Sequence, residues 1–198
     1  MAVTLQQREP GGPTTARPQV AQSAIAPAVE GAAAAVLPIL RQKNLKLDLA
    51  LAADLPLVSV KETVLRQLVL SLLTNACRAS AEGTAVVVSA AAASAEPATN
   101  GSKAGRGRQV ALAFRDTGGG IDPAERERVF GSQPNLGSGR PVRGLGDGSA
   151  NLAVVQKLAQ ASGGDLVFDS QAGVGTTFTL RLPAAEPSGP PAKEGAQS

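Results

Sequence analysis

Leu45, Leu47, Leu49 and Leu51 alternate with Lys46, Asp48 and Ala50. That period of two predicts a half-buried β-strand. Before it, residues 28–42 read as a helix ending near Lys43-Asn44. After it, Pro56 closes a turn, and Ser59-x-x-Glu62 has the form of a capping box opening a second helix. That helix places Leu65, Leu68, Val69, Leu72, Leu73 and Ala76 on one broad apolar face, and Gly83 is expected to end it. Val86-Val87-Val88 reads as a strand, and residues 109–115 as another. Asp122-Pro123-x-Glu125 marks a helix start, with proline at the first helical position. A further helix runs from about Ala150 to Ala161 and stops at Gly163-Gly164. Leu166 and Phe168, then Phe178, Leu180 and Leu182, alternate along two last strands that are expected to pair as a hairpin. Strands mixed with helices predict a two-layer α/β sandwich, with helices on one face of a mixed sheet.

Three stretches break the periodicity. Residues 1–24 are rich in Pro, Gln, Gly, Thr and Ala and read as a disordered arm or linker. Arg8 and Arg17 among few acids are also compatible with a transit peptide. Residues 91–108 read as a flexible insert of low complexity. Residues 131–148, with several glycines, Pro134, Pro141, Arg140 and Arg143, read as a mobile lid, and residues 184–198 as a disordered tail. The folded part is therefore expected over 25–183. The chain has 198 residues and a net charge of +3 without a dense Lys/Arg run, so charge gives no reason to expect a nucleic-acid partner. No apolar run reaches membrane-spanning length. The single cysteine, Cys77, excludes an internal disulfide and reads as a small helix residue.

The candidate chemistry centres on Asp116-Thr117-Gly118-Gly119-Gly120-Ile121. An acid at a strand's end followed by glycines puts a fixed acceptor beside backbone with little side-chain bulk. A flat ring bearing an amino group fits such a place. Alone, this pattern is also an ordinary turn. It is accompanied by an Asn-bearing helix before it, a glycine-rich segment after it, and Gly173-Val174-Gly175-Thr176 near the end.

In that order these segments resemble the ATP-binding domain of sensor histidine kinases, a branch of the GHKL superfamily that also holds gyrase and MutL. The resemblance covers roughly residues 28–183. An N box spans Leu68 to Ser80 and a G1 box Asp116 to Ile121. A partial F box, Arg128-Val129-Phe130, follows, with Gln133 where a second Phe is usual. A lid and G2 region runs from Gly137 to Leu152, and Gly-x-Gly-Thr precedes the last strand.

The resemblance implies a mainly antiparallel sheet with an ATP lid, ATP and Mg²⁺ as cofactors, and a role for each matching residue. Asn75 would ligate Mg²⁺, in keeping with an ion that takes oxygen ligands mostly from phosphates and water. Asp116 would accept from the adenine amino group, Gly118 and Gly120 would let backbone approach the ring, and Thr176 would support the acid. Arg78 and Arg143 would contact phosphates, and Gly144, Gly146 and Gly148 would offer backbone N–H groups to them.

Departures from the pattern matter as much. Ser71 stands where gyrase and MutL carry the Glu that activates water, and a hydroxyl is a poor general base at neutral pH. Gyrase-like hydrolysis is thereby disfavoured. Ala79 replaces an aromatic beside the base, a loss of about 1 kcal/mol by analogy with aromatic pairs. In the G2 helix start, which reads Ser149-Ala150-Asn151, Ser and Asn replace two glycines of the pattern, and Asp147 would repel a triphosphate unless Arg140 and Arg143 offset it.

The chain contains no histidine. A phosphoacceptor would then lie on dimerisation helices in a longer chain or in trans, with a response regulator as the onward partner. The expected function is a protein histidine kinase's ATP-binding catalytic domain in two-component signalling, cytoplasmic or, alternatively, in a chloroplast stroma. The second reading is a degenerate nucleotide sensor or scaffold without phosphotransfer; a third is a serine-directed relative such as an anti-sigma kinase.

Overall fold

The computed structural model describes residues 21–94, 107–121 and 149–186. The predicted apolar face on the second helix is the centre of the core. That helix, α2 (Glu62–Ala79), follows α1 (Ile25–Gln42) and β1 (Lys46–Leu51). Leu65, Leu68, Val69, Leu72 and Leu73 of α2 have no solvent exposure. β2 (Ala85–Ala93), β3 (Gln109–Arg115), α3 (Ser149–Ala161), β4 (Asp165–Gln171) and β5 (Gly175–Pro183) complete the described elements. The sheet order is β1-β2-β3-β5-β4. β1 and β2, joined through α2, are parallel, and the other pairs are antiparallel.

One face of the sheet is covered. Val86 and Val88, Val110, Leu112 and Phe114, then Phe178, Leu180 and Leu182 alternate inward at 0% exposure. Phe114 pairs with Phe178, and Phe178 with Phe168, so three rings cross the sheet in register. The Phe168 and Phe178 centroids are 5.7 Å apart and tilted by 33°, a geometry that favours the pair. The two-layer mixed sandwich expected from the pattern is the observed fold. No helix among the described residues is long and apolar enough to cross a membrane.

Several local expectations are corrected. α1 starts at Ile25 rather than 28, because Ile25 is itself buried in the core. It continues through Pro38, whose missing N–H leaves the Ala34 carbonyl without its helical donor. Both residues are exposed, so water can serve that carbonyl. β1 is an edge strand beyond most of the helical cover. Leu47 and Leu51 are half-buried, but Leu49 is 43% exposed.

Ser59 does not cap α2. The N-cap is Lys61, without a side-chain bond, and Ser59 donates its N–H to the Pro183 carbonyl instead. Glu62 still stands at the positive helix start and pairs with exposed Arg66 at 3.4 Å. α2 ends at Ala79; Gly83 lies further on, in the turn before β2, with φ +75°.

β2 extends well past Val88. Ala91, Ala92 and Ala93 pair with Ala111, Val110 and Gln109, so the ladder overrides alanine's weak strand preference. The predicted helix stop after α3 holds in detail. Gly164 N–H donates to the Ala159 carbonyl and Gly163 N–H to that of Gln160, a Schellman closure with Gly163 at φ +75°. Just past the end of β5, Ala184 bridges to Val58, as does Ser23, and the Ser23 hydroxyl donates to the Val60 carbonyl at 2.7 Å.

Candidate functional site

β3 ends at Arg115, and Asp116 follows at the point where β5 begins. Its N–H donates to the Thr176 carbonyl at 2.9 Å, which continues the β3–β5 pairing by one step. The carboxylate is 2% exposed. Oδ1 accepts two backbone N–H groups, from Gly118 at 2.9 Å and Thr176 at 3.1 Å. Oδ2 is buried and has no partner among the described residues. Burial pushes the Asp116 carboxyl above the usual carboxylate range, and the Gly118 and Thr176 donors pull it back only in part.

The glycines after Asp116 serve the protein before they can serve a ligand. A Cβ on Gly118 would lie 2.3 Å from the Ala79 carbonyl oxygen at the end of α2. A Cβ on Gly120, at φ +67°, would lie 2.1 Å from the Gln171 carbonyl oxygen at the end of β4. What stands where the side chains would be is protein backbone, which refines the expectation that the bare glycines face a ring. Gly175, not singled out from sequence as a site residue, carries the same constraint against the Asp116 carbonyl at 2.2 Å. Gly120→Ala is expected to lower stability by about 1–3 kcal/mol through a strained backbone alone, with the close contact adding to it. Thermal unfolding by circular dichroism reads this, and an unchanged midpoint would count against the described turn.

Thr176 holds Asp116 through its backbone, not its hydroxyl. Thr176 Oγ1 is 2.9 Å from Ser170 Oγ. Ser170 also accepts the Ile121 N–H at 2.8 Å and reaches the Gly175 carbonyl at 3.2 Å. Ser170 therefore ties the G1 turn to the β4–β5 hairpin, and sequence reasoning missed it. A signal was present: it continues the inward phase of Leu166 and Phe168, so a hydroxyl stands where the pattern asks for an apolar residue.

Asn75, Ser71 and Arg78 all sit on α2. Asn75 is 4% exposed, and neither its Oδ1 nor its Nδ2 has a partner among the described residues. With Leu70, Ser71, Thr74, Arg78, Leu152 and Val155 it lines a cavity of about 140 Å³ between α2 and α3. That is below the ~300 Å³ at which small-molecule sites begin. Arg78 is exposed, with no ion-pair partner among the described residues.

Asp116 does not line that cavity; the two groups of residues meet at the end of α2. Ser80 and Gly118 form a β-bridge. Asn75 precedes Ala79 by four residues, about 6 Å along the helix. The buried side-chain atoms without partners among the described residues belong to Asn75, Ser80, Asp116 and Thr117. Each such group costs about 1–3 kcal/mol. They lie together, along the last turns of one helix and the turn it touches. Phe130, Arg143, Gly144, Gly146, Gly148 and the predicted lid lie outside the described residues.

Cys77 is fully buried, and burial pushes its thiol up to about 11, against a smaller opposing pull from the Lys43 ammonium. It is therefore a thiol at neutral pH and poorly nucleophilic. With Trp and Tyr absent, its protection offers a convenient reporter of folding.

Residues 60–186 match the family of histidine kinase-, DNA gyrase B- and HSP90-like ATPases. The chain belongs to that family, on its sensor-histidine-kinase branch. The adaptive-response sensory kinase SasA of Thermosynechococcus vestitus is 32% identical over 130 residues, which cover 66% of this chain and 30% of SasA. Sensor protein TorS of Escherichia coli is 32% identical over 142 residues, 71% of this chain and 14% of TorS. The chain thus spans less than a third of those relatives. Among solved structures, full-length ShkA in complex with AMPPNP superposes with a TM-score of 0.64 at 24% identity, covering 89% of this chain and 33% of ShkA. At that identity the likeness speaks for the fold. The domain is thus the ATP-binding, catalytic type of sensor kinases, as the order of its motifs implied.

Proposed function

We propose that this chain binds ATP with Mg²⁺ and presents the γ-phosphate to a histidine on dimerisation helices, in a longer chain or in trans. The observation that carries the reading is the Asp116 carboxylate, with one oxygen saturated by backbone donors and the other buried and unpaired. An adenine amino group supplies the missing donor. The cradle of orphaned atoms along α2 fits the rest of the nucleotide, and the AMPPNP in the ShkA structure agrees in ligand class.

Asn75 fits a Mg²⁺ ligand on its own features. Its amide oxygen is buried, neutral and unpaired, and it faces space for phosphate oxygens. Mg²⁺ usually takes only one or two protein ligands and keeps water and phosphate for the rest. When bound, the ion neutralises charge on the phosphates. The acceptor imidazole nitrogen forms a bond to the γ-phosphorus as the bond to the β,γ-bridging oxygen breaks, and ADP leaves with that electron pair. The protein's part is to orient and to neutralise. Arg78 steadies phosphate from α2, with Arg143 and the backbone at Gly144, Gly146 and Gly148 assigned the same task from the lid. Ser71 offers no base for water, so hydrolysis without the acceptor should be slow. Onward transfer to a response regulator, and a cytoplasmic setting where ATP is available, belong to the same reading. The curated relatives reported are bacterial, and none lends support to the plastid alternative.

Titration with a fluorescent ATP analogue, with and without Mg²⁺, tests binding. Radiolabel transfer to an added histidine-bearing helical hairpin tests catalysis. Micromolar binding strengthened by Mg²⁺, followed by transfer, is expected. Binding without transfer would move the protein to the nucleotide-sensor reading, and no binding would remove both.

A further inference from the structure

Lys43 has a role that no motif indicated. It follows the last turn of α1, and Asn44 after it turns the chain at φ +48°. The Lys43 side chain runs to the end of the neighbouring helix. Its ammonium donates to the carbonyls of Cys77 at 3.2 Å and Arg78 at 2.7 Å, and to that of Ser80. An ammonium has three donors and no acceptor, so Lys43 is saturated by this one helix terminus. It also places a positive charge at the negative end of the α2 dipole. Its own carbonyl accepts the Gly83 N–H at 2.9 Å, which anchors the connection from α2 to β2. Lys43 therefore clamps α2's exit at both ends.

That exit is the surface on which the purine-binding turn rests. Ser80 bridges to Gly118, and the Ala79 carbonyl lies where a Gly118 Cβ would be. Gly118 in turn supplies one of the two N–H groups that hold Asp116 Oδ1. We propose that Lys43 is a positioning residue: through the end of α2 it fixes Gly118, and through Gly118 the Asp116 carboxylate, so that α1 sets nucleotide affinity without touching nucleotide. The second half rests on the function proposed above. Loss of the ammonium removes the one donor group that ties these three carbonyls together. The last turn of α2 then loosens, and one of the carboxylate's two anchors goes with it. The other anchor, Thr176 N–H, comes from β5, where Thr176 is held by its pairing with Ser170 of β4 rather than by α2.

This asymmetry gives a test that a general loss of stability does not imitate. Amide hydrogen exchange is measured at Gly118 and Thr176 in the nucleotide-free protein, for wild type, Lys43→Met, Lys43→Gln and Lys43→Arg, well below the unfolding midpoint. In Lys43→Met, Gly118 is expected to exchange about tenfold faster while Thr176 is unchanged, the size of a lost charge-assisted hydrogen bond. Lys43→Gln, which keeps two donors, should fall between, and Lys43→Arg should restore protection. ATP affinity should weaken about tenfold in Lys43→Met and follow the same order. Unchanged exchange at Gly118, or equal acceleration at Gly118 and Thr176, overturns the coupling. If wild type binds no ATP, the proposed function falls and takes the affinity claim with it, while the exchange pattern still decides whether Lys43 positions Asp116. Should Lys43→Met fail to fold, the comparison of Lys43→Gln with Lys43→Arg decides the same point.

Discussion

Asp116→Asn is expected to weaken ATP binding by at least about 30-fold, or about 2 kcal/mol, while leaving the fold intact or slightly more stable. The asparagine oxygen can still accept the Gly118 and Thr176 N–H groups. Its amide nitrogen then occupies the place of Oδ2 and points a donor at a donor. Stability moves the other way because the carboxyl is raised above its ordinary range by burial. Such a group's contribution is fully present when it is protonated below the ordinary value, and it is lost as pH rises through the folded value. At neutral pH the nucleotide-free protein carries that cost, and the neutral amide removes it. The same shift gives a pH dependence. Preference for ATP over purine riboside triphosphate, which lacks the amino group, should fall as pH drops through the raised Asp116 value. The two nucleotides have the same phosphates, so their affinity ratio isolates the carboxylate. Isothermal titration with both ligands, beside thermal unfolding of both proteins, reads the whole prediction. An Asn variant that binds ATP as wild type does would contradict it.

Asn75→Leu should separate metal use from folding. Two amide atoms that are buried without partners among the described residues are replaced by a side chain of similar size. The expected change is a gain of about 1 kcal/mol in stability, or none. Phosphotransfer to a histidine-bearing partner should fall about 100-fold, the scale seen when one electrostatic or positioning group is removed. Mg²⁺ should no longer strengthen nucleotide binding. Single-turnover transfer assays across a Mg²⁺ series give both numbers. Retained Mg²⁺ dependence in the variant would place the ion elsewhere.

The core was legible because it follows from period alone. The α2 face, the inward alternation of β3 and β5, and the glycine stop after α3 are local consequences of which residues are apolar and which lack a Cβ. What period could not supply was context. Leu45 to Leu51 alternate like a buried strand, yet β1 sits at a sheet edge where little covers it. Alanines after Val88 carry no strand signal, and only the partner at β3 holds them extended. Ser59 and Glu62 have capping-box spacing, but β5 takes Ser59 first.

The site divides in the same way. Asp116, Asn75 and Thr176 are visible because the motif order names them. Ser170 and Lys43 are not, because each acts on residues distant in sequence: Ser170 on Ile121, and Lys43 on the end of α2 more than thirty positions away. The motif assigns Gly118 and Gly120 to backbone approach toward a ring, and packing adds a second reason for them, the carbonyls of Ala79 and Gln171 beside their Cα atoms. A motif records which residues a site needs, and only packing records why.

A crystal structure of this protein with Mg²⁺ and a non-hydrolysable ATP analogue puts the account to its most direct trial. The adenine amino nitrogen should lie within hydrogen-bonding distance of Asp116 Oδ2, and the ion within about 2.1 Å of Asn75 Oδ1. A purine seated away from Asp116, with Oδ2 still unpaired in the complex, would contradict it.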